Sequence, residues 1–483
     1  MPDVRHSNAL PIAQDALQVV QHSACIGCGA CAAAMPELYQ IEMNDYGEYQ
    51  AIGGQQVEPT DTNREAFAQV CPFSGGGPDE DDIGSSLYGD ATANEYVGFH
   101  RDCYVAWVDK NNYRAAGSSG GMTSWMLAKL LGVGEIDGVI HVKPANSPGE
   151  RQLFHYAISH TLDEVRAGAK SRYYPVEMSS VLSEVRRSTG RYAFVGVPCF
   201  VKAVRRLCLV DPELDARIAY CIAIFCGHLK SRAFAEAIAW ELGVEPAELE
   251  TIDFRHKLYD RPASQYGVKL TSKSGETLEH PMQGLATKNW GLGMFKYLAC
   301  DLCDDVVGET ADISFGDAWL DEYRLDPRGA NVVVVRNQRL AELVAQAFQN
   351  GEIEGKPLST KDVYRSQEAG FRHRRPGLAY RLWAREQRGE WSPQKRVQPD
   401  AHALPPQRRR IMDVRVQLAD RCRAAFVHAK QVGSFQTFLS EIDPLVTAHQ
   451  RLSRRGLWLR IRRKLSRLAK SFFKSPGDGG GQK

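Results

Sequence analysis

Short apolar runs, each about the length of one strand, recur through the middle of the chain. Residues 104–108, 138–142, 192–197 and 219–225 are the clearest, and turn-forming glycine or proline follows within a few residues of most of them. Residues 122–131, 200–209 and 231–242 carry helical patterning between these runs. Strands alternating with helices predict an α/β fold built on a mixed or parallel sheet. Residues 312–317 and 332–335 add two later strands, and no fixed-period repeat is present.

Composition shifts divide the chain further. Residues 15–75 read as a small, loop-rich, ferredoxin-like unit. Three consecutive glycines, Pro78 and the acidic run Asp79-Glu80-Asp81-Asp82 make residues 76–95 an expected linker. Residues 96–180 and 181–345 are expected as the two parts of the core. Residues 346–448 are expected to form an irregular and helical extension, with the Arg- and Pro-rich stretch 360–410 lying on the surface. In the basic tail, residues 449–483, Leu457, Ile461, Leu465, Leu468 and Phe472 share one helical face, while Arg460, Arg462, Arg463, Lys464, Arg467 and Lys470 fill the rest. Such a helix suits an anionic membrane surface or an acidic partner, or equally packs on its own domain.

With 43% hydrophobic residues in 483, the chain can bury sizeable cores. It contains no apolar stretch of the ~20 residues that a membrane span needs, and residues 1–14 lack the apolar centre of an export signal. A cytoplasmic protein is expected, with the tail allowing contact with the inner face of the membrane. The net charge of +2 suggests no nucleic-acid partner. It conceals an asymmetry, because residues 449–483 hold eleven Lys and Arg against one Asp, which leaves the rest of the chain net acidic.

The twelve cysteines carry the chemistry. Clustered cysteines in a reducing compartment point to metal or redox chemistry rather than disulfides. Cys25-Ile26-Gly27-Cys28-Gly29-Ala30-Cys31 is a C-x₂-C-x₂-C loop, the ligand run of a 4Fe–4S cluster. Gly27 and Gly29 remove side chains that would crowd so tight a turn. Met35 stands where such runs usually carry a fourth cysteine, so Cys71, followed by Pro72, is the expected fourth ligand. Zinc is the competing reading, but it usually takes separated pairs. A second group is looser. Cys199 and Cys226 each follow a predicted strand, at the edge where open α/β sheets bind ligands, and Cys300-Asp301-Leu302-Cys303 adds a CxxC. These four thiols are either a second cluster site or small buried hydrophobes. Cys103, Cys208, Cys221 and Cys422 have no partners at ligand spacing.

Several ordered stretches carry a family resemblance. They are Cys25 to Cys31, Gly117-Ser118-Ser119-Gly120-Gly121-Met122-Thr123, Lys170-Ser171-Arg172-Tyr173-Tyr174, Val195 to Cys199, Phe225-Cys226-Gly227, Cys300 to Cys303, and residues 311–319 and 329–336. In this order they resemble the family of coenzyme F420 hydrogenase/dehydrogenase beta subunits, which also includes 7-hydroxymethyl chlorophyll a reductase and ferredoxin-type divinyl chlorophyllide reductases. The resemblance covers roughly residues 20–340. It implies FAD and one or two 4Fe–4S clusters, with Cys199, Cys226, Cys300 and Cys303 as ligands of the second. It also makes Gly117, Ser118, Ser119, Gly120, Gly121, Met122 and Thr123 the FAD phosphate cradle, a loop that would otherwise read only as a turn. Lys170, Ser171 and Arg172 resemble the second flavin-contact segment. Phe200 departs from the glutamine often found there, and the chain beyond residue 345 matches no motif of the family.

Three further positions are open. Asp317 ends a strand and either meets the flavin or caps a turn. Trp319 either packs near the ring or is a core aromatic. His256 is a candidate proton donor, while its neighbours Arg255 and Lys257 read as surface charges. The expected activity is that of an FAD- and 4Fe–4S-dependent oxidoreductase, with ferredoxin or another redox protein and a small hydride donor or acceptor as partners. An electron-relay subunit without turnover of its own is the alternative, and a scaffold that has lost its redox role is a third. The substrate is not specified by these residues.

Overall fold

The computed structural model describes residues 16–53, 60–145 and 152–472, with side chains described through residue 454. Its strands are β1 (Tyr39–Met43), β2 (Tyr49–Gly53), β3 (Asp102–Trp107), β4 (Gly138–Pro144), β5 (Phe154–Ser159), β6 (Tyr192–Gly196) and β7 (Ile218–Ile224). They continue with β8 (Leu249–His256), β9 (Gly267–Ser272), β10 (Thr277–Pro281), β11 (Ile313–Asp317), β12 (Asn331–Val335) and β13 (Glu354–Pro357). Eight of them form one mixed sheet in the order β13-β3-β12-β11-β7-β6-β4-β5. Its centre, β11-β7-β6-β4, is parallel. The antiparallel strands β12, β3 and β13 extend one side and β5 extends the other.

The central strands are apolar runs because both faces are covered. Phe194, Cys221 and Ala223 meet the Pro198–Val210 helix through Val201, Val204 and Leu207. The alternate residues Ala193, Val195 and Ile222 face the Met122–Gly132 and Gln338–Gln349 helices. A three-stranded sheet, β8-β9-β10, packs in a separate core with the Arg232–Glu241 and Pro406–Val432 helices. The β1-β2 hairpin backs the first cysteine loop. This is the mixed α/β architecture that the alternating pattern predicts, with a helical C-terminal region.

Three expectations need correction or a limit. The acidic stretch in the expected linker forms the Glu80–Tyr88 helix, in which the Asp79 side chain accepts from Asp81 N and Asp82 N. Glu80 is buried against Lys202 Nζ at 3.1 Å, so an acidic run that looks solvated is an N-cap plus an ion pair. Residues 360–410, expected as an irregular surface, contain the Thr360–Ser366, Glu368–Arg374 and Pro376–Gln387 helices and bury Arg374 and Arg381. The last helix runs Phe435–Phe472 after a turn at Gly433, whose φ is 68°. The side chains of its amphipathic stretch, Leu457 through Phe472, lie outside the described residues. No helix among the described residues is long and apolar enough to cross a membrane.

Candidate functional site

The carboxyl ends of β6, β7 and β11 share one sheet edge, because these strands are parallel. Antiparallel pairing brings the start of β12 and the end of β3 to the same edge, where Asn331 faces Ala106. Four separated pieces of sequence therefore converge there: the loop after β3, Cys199 after β6, Cys226 after β7 and Asp317 at the end of β11. A cavity of about 270 Å³ opens along this edge.

The Gly117–Gly121 loop forms one wall of the cavity. A Cβ at Gly120 would stand 2.8 Å from Ala106 O and from Asn331, so the loop can lie on the strands only without a side chain there. Gly121 has φ 81° and precedes the first turn of the Met122–Gly132 helix. Asn331 Oδ1 accepts from Met122 N at 3.2 Å, which ties that turn to β12. Ser118 and Thr123 line the cavity at the positive end of this helix, where anionic groups are favoured. Lys257 Nζ donates to Ser119 O at 3.0 Å, to Arg328 O at 2.6 Å and to Arg114 O, so it is the buried brace of the loop and not a surface charge.

Lys170, Ser171 and Arg172 line the same cavity. Ser171 N donates to Ser118 Oγ at 2.8 Å, which joins the two segments that the resemblance assigns to flavin. Arg255, also expected on the surface, is 4% exposed. It donates to Asp317 Oδ2 at 2.8 Å and to Tyr173 OH at 3.2 Å, and it lies over the Tyr266 ring at 4.3 Å. Burial opposes its charge, but the Asp317 carboxylate more than compensates. Strand alternation sends His256 the other way: its Nε2 meets Glu279 Oε2 at 3.2 Å, and it does not line the cavity. Trp319 is likewise absent from the lining, and Trp290 and His228 stand in the wall instead.

The second thiol set adjoins this cavity through Cys226, and the first lines a separate gap. In the first set, Cys25, Cys28, Cys31 and Cys71 line one small gap. Gly27, with φ 62°, has no room for a Cβ, which would sit 2.2 Å from Tyr49 O; at Gly29, φ 87°, it would sit 2.7 Å from Glu177 Oε2. Arg206 donates to Pro78 O at 2.8 Å and to Cys71 O, pinning the fourth cysteine to the Pro198–Val210 helix. In the second set, Cys226 lines the cavity, Cys199 starts that same helix, and Cys300 lies in the 3₁₀ turn Leu298–Leu302. Leu229 N donates to Cys300 Sγ at 3.3 Å, and Arg374 Nε donates to Cys303 Sγ at 3.4 Å.

Burial, then the neighbouring thiols, hold Cys31 and Cys199 well above the ordinary thiol range. Burial likewise pushes Cys71 and Cys300 up to about 12 and Cys226 to about 11, with Arg374 opposing at Cys226 and Cys300. Four such thiols can ionise together only around a centre that brings positive charge, and this donor set fits an iron–sulfur cluster. Among the described residues no three metal-binding side chains converge tightly enough to chelate a single ion. For the flavin, the fit rests on the glycine- and serine-built loop at a helix N-terminus and on buried polar atoms in the cavity wall. Arg172 Nε, Arg255 Nε and His228 Nε2 have no hydrogen-bond partner.

Comparison with known proteins covers the same region. Residues 103–183 match the family model for the N-terminal part of the coenzyme F420 hydrogenase/dehydrogenase beta subunit, and residues 189–361 match the model for its C-terminal part. An uncharacterized protein of Methanocaldococcus jannaschii is 24% identical over 244 residues, and the alignment covers 49% of this chain and 60% of that protein. The chain thus spans less than two thirds of that relative's length. One of the subunits of the F(420)H(2) dehydrogenase of Methanosarcina mazei is 24% identical over 332 residues, with 66% of this chain and 81% of that protein covered. A chain from the structure of the F420-reducing NiFe hydrogenase complex of Methanosarcina barkeri aligns with a TM-score of 0.47 at 18% identity, covering 61% of this chain and 96% of that one.

Proposed function

The chain belongs to the family of coenzyme F420 hydrogenase/dehydrogenase beta subunits, and on that premise we propose that it is an iron–sulfur flavoprotein oxidoreductase. It would pass electrons between two 4Fe–4S clusters and FAD, and on to or from a hydride-accepting cofactor or small substrate. One observation carries this reading. Cys226 stands in the cavity wall, its set includes Cys199 at the foot of the Pro198–Val210 helix, and Arg206 on that helix holds Cys71 of the other set. Cavity, second set and first set therefore follow one another through the protein, and Cys28 of the first set adds to the electrostatic rise at Cys199.

The residues have distinct tasks. Cys25, Cys28, Cys31 and Cys71 would hold one cluster, and Cys199, Cys226, Cys300 and Cys303 the other. Gly117 to Thr123 would receive the FAD phosphates, with Lys170, Ser171 and Arg172 closing over them. A bound flavin exchanges hydride with a substrate and single electrons with a cluster. The Arg255–Asp317 pair presents a neutralised carboxylate and a fixed guanidinium to the cavity, which orients whatever enters. Phe200, where the family often has glutamine, is buried, lines the cavity and stacks on Tyr156 at 6.0 Å, so it excludes water where the glutamine would bond. The proposed external donor is ferredoxin or another redox protein, docking on the side of the first set.

Anaerobic reconstitution with iron, sulfide and FAD tests the proposal. The expected product carries one flavin and about eight irons per chain, four per cluster. A chain that takes up neither overturns it. A relay subunit that turns over only in an assembly is the second reading, favoured by the matching relative being part of a dehydrogenase with several subunits. Turnover of the isolated, reconstituted chain with a reduced viologen and a hydride acceptor would exclude the relay.

A further inference from the structure

The family models end at residue 361, yet the chain continues into helices that close over the second thiol set. Arg374 ends the Glu368–Arg374 helix and is 1% exposed. Its Nε donates to Cys303 Sγ at 3.4 Å, and its Nη1 is buried without a partner. The surrounding cations are otherwise engaged: Arg375 with Glu309 at 2.7 Å, Lys395 with Asp304 at 2.6 Å, and Arg396 with Glu309 at 2.6 Å. Arg381 donates to Asp301 O at 2.9 Å, and Lys296 holds the Asp301 carboxylate. Arg381 also reaches the Met412 thioether at 3.7 Å; among the described residues, then, Arg374 is the cation of this group that donates to a cysteine sulfur.

A buried guanidinium without a counter-charge is strongly unfavourable. Here the compensating anion is the thiolate set itself, which gains negative charge when a cluster bound to it is reduced. A cation and an N–H···S bond favour that reduced form and raise the reduction potential. The first set is arranged differently. Its sulfurs take only neutral backbone N–H bonds among the described contacts, such as Gly27 N on Cys25 Sγ at 3.3 Å; its arginine, Arg206, bonds backbone carbonyls and acts on the Cys71 thiol through its charge alone, while the acid Glu48 stands near Cys25.

We infer that Arg374, supplied by the C-terminal extension, is a positioning residue that holds the second iron–sulfur site at a more positive potential than the first. The inference rests on the cluster assignment proposed above. Its consequence is a direction: an electron entering at the first set runs downhill toward the Cys226 wall of the cavity.

The test is a redox titration of the full reconstituted chain followed by electron paramagnetic resonance, with the first set's signal identified by its loss in Cys31→Ser. In the unsubstituted protein the second set should reduce first as the ambient potential is lowered. Arg374→Gln should lower its reduced-to-oxidised ratio at fixed potential at least tenfold, which for a one-electron couple is a 59 mV shift. Arg374→Lys should restore most of that ratio, and neither variant should move the first set. The inference is overturned if the first set titrates at the higher potential, a result that needs no variant. It is also overturned if Arg374→Gln titrates like the unsubstituted protein, or if both sets shift together. Absence of any second signal from the unsubstituted protein would instead defeat the cluster assignment on which the inference rests.

Discussion

The two thiol sets use the same side chain in the same number but are assembled by different means. The first takes three thiols from one tight loop, whose course depends on Gly27 and Gly29 at positive φ, and one from the end of the Asp61–Val70 helix. Its surroundings are apolar, with Ile26, Ala30, Phe67 and Phe73 in its core. The second takes single thiols from the ends of two parallel strands and a pair from a 3₁₀ turn, and its outer side is closed by arginines and lysines of the extension. The first is thus a local structure lodged in a core, whereas the second exists only when the sheet, the CxxC turn and the extension are all in place.

Substituting the ligands should produce the largest effects and separate the two sets. Cys25→Ser and Cys300→Ser should each leave about four of the eight irons, a loss that iron analysis measures directly. If the order of the sets is right, Cys300→Ser still accepts electrons from an outside donor at the first set but no longer delivers them to flavin. Flavin reduction by that donor in Cys300→Ser at the rate of the unsubstituted protein would break the comparison. Next in size are changes that act on one mode of assembly. Gly27→Ala combines a strained φ with a contact 2.2 Å from Tyr49 O, costing about 2–5 kcal/mol; the first set's iron should be lost and the second's kept. Arg396→Ala removes the partner of Asp304 at 3.2 Å, Asp81 at 2.6 Å and Glu309 at 2.6 Å. Asp304 keeps Lys395 and Glu309 keeps Arg375, so no buried acid is stranded; losing hydrogen bonds between charged groups costs about 1.5–3 kcal/mol each, and this variant should lose the second set's iron from a position far along the chain. Loss of the first set instead would show that the extension supports the molecule generally.

The same difference explains what could be read from the amino-acid order. The first set is legible because three of its thiols are neighbours in sequence and its glycines announce the turn. The second is legible only as far as topology is, since Cys199 and Cys226 become neighbours through the parallel pairing of β6 with β7. The apolar runs revealed the central strands, but the edge strand β13, exposed along its length, gave no such signal. Charge misled most. Arg255, Lys257 and Arg374 look like surface residues by composition, and each is buried because a specific acceptor waits for it: Asp317, three backbone carbonyls, and Cys303. No spacing rule marks an arginine whose partner lies tens of residues away. His228 and Trp290 were missed for the same reason, their place in the wall being set by the turns after β7 and before the CxxC.

The smallest effect tests the charge contrast itself. Glu48 is the acid beside Cys25 of the first set as Arg374 is the cation at Cys303 of the second, but Glu48 can lose its charge. It is buried, with Oε2 3.1 Å from Arg423 and Oε1 unpaired. Burial pushes its carboxyl up to about 7 from 4.5, with Arg423 opposing. The folded protein therefore keeps this proton over a range in which the unfolded chain has released it. Below the unfolded value both states are protonated and burial carries no charge penalty. As pH rises from about 4.5 to about 7, the unfolded chain ionises while the folded state keeps its proton, and stability declines before levelling off as the buried carboxyl ionises too. The decline is on the order of 3 kcal/mol. Glu48→Gln cannot ionise, so its thermal midpoint should lose this slope and stand above that of the unsubstituted protein at pH 8 while matching it more closely at pH 5. An unchanged slope in the variant would mean that Arg423 already compensates Glu48 fully, and the first set would then lie beside a balanced ion pair and not beside an acid held neutral by burial.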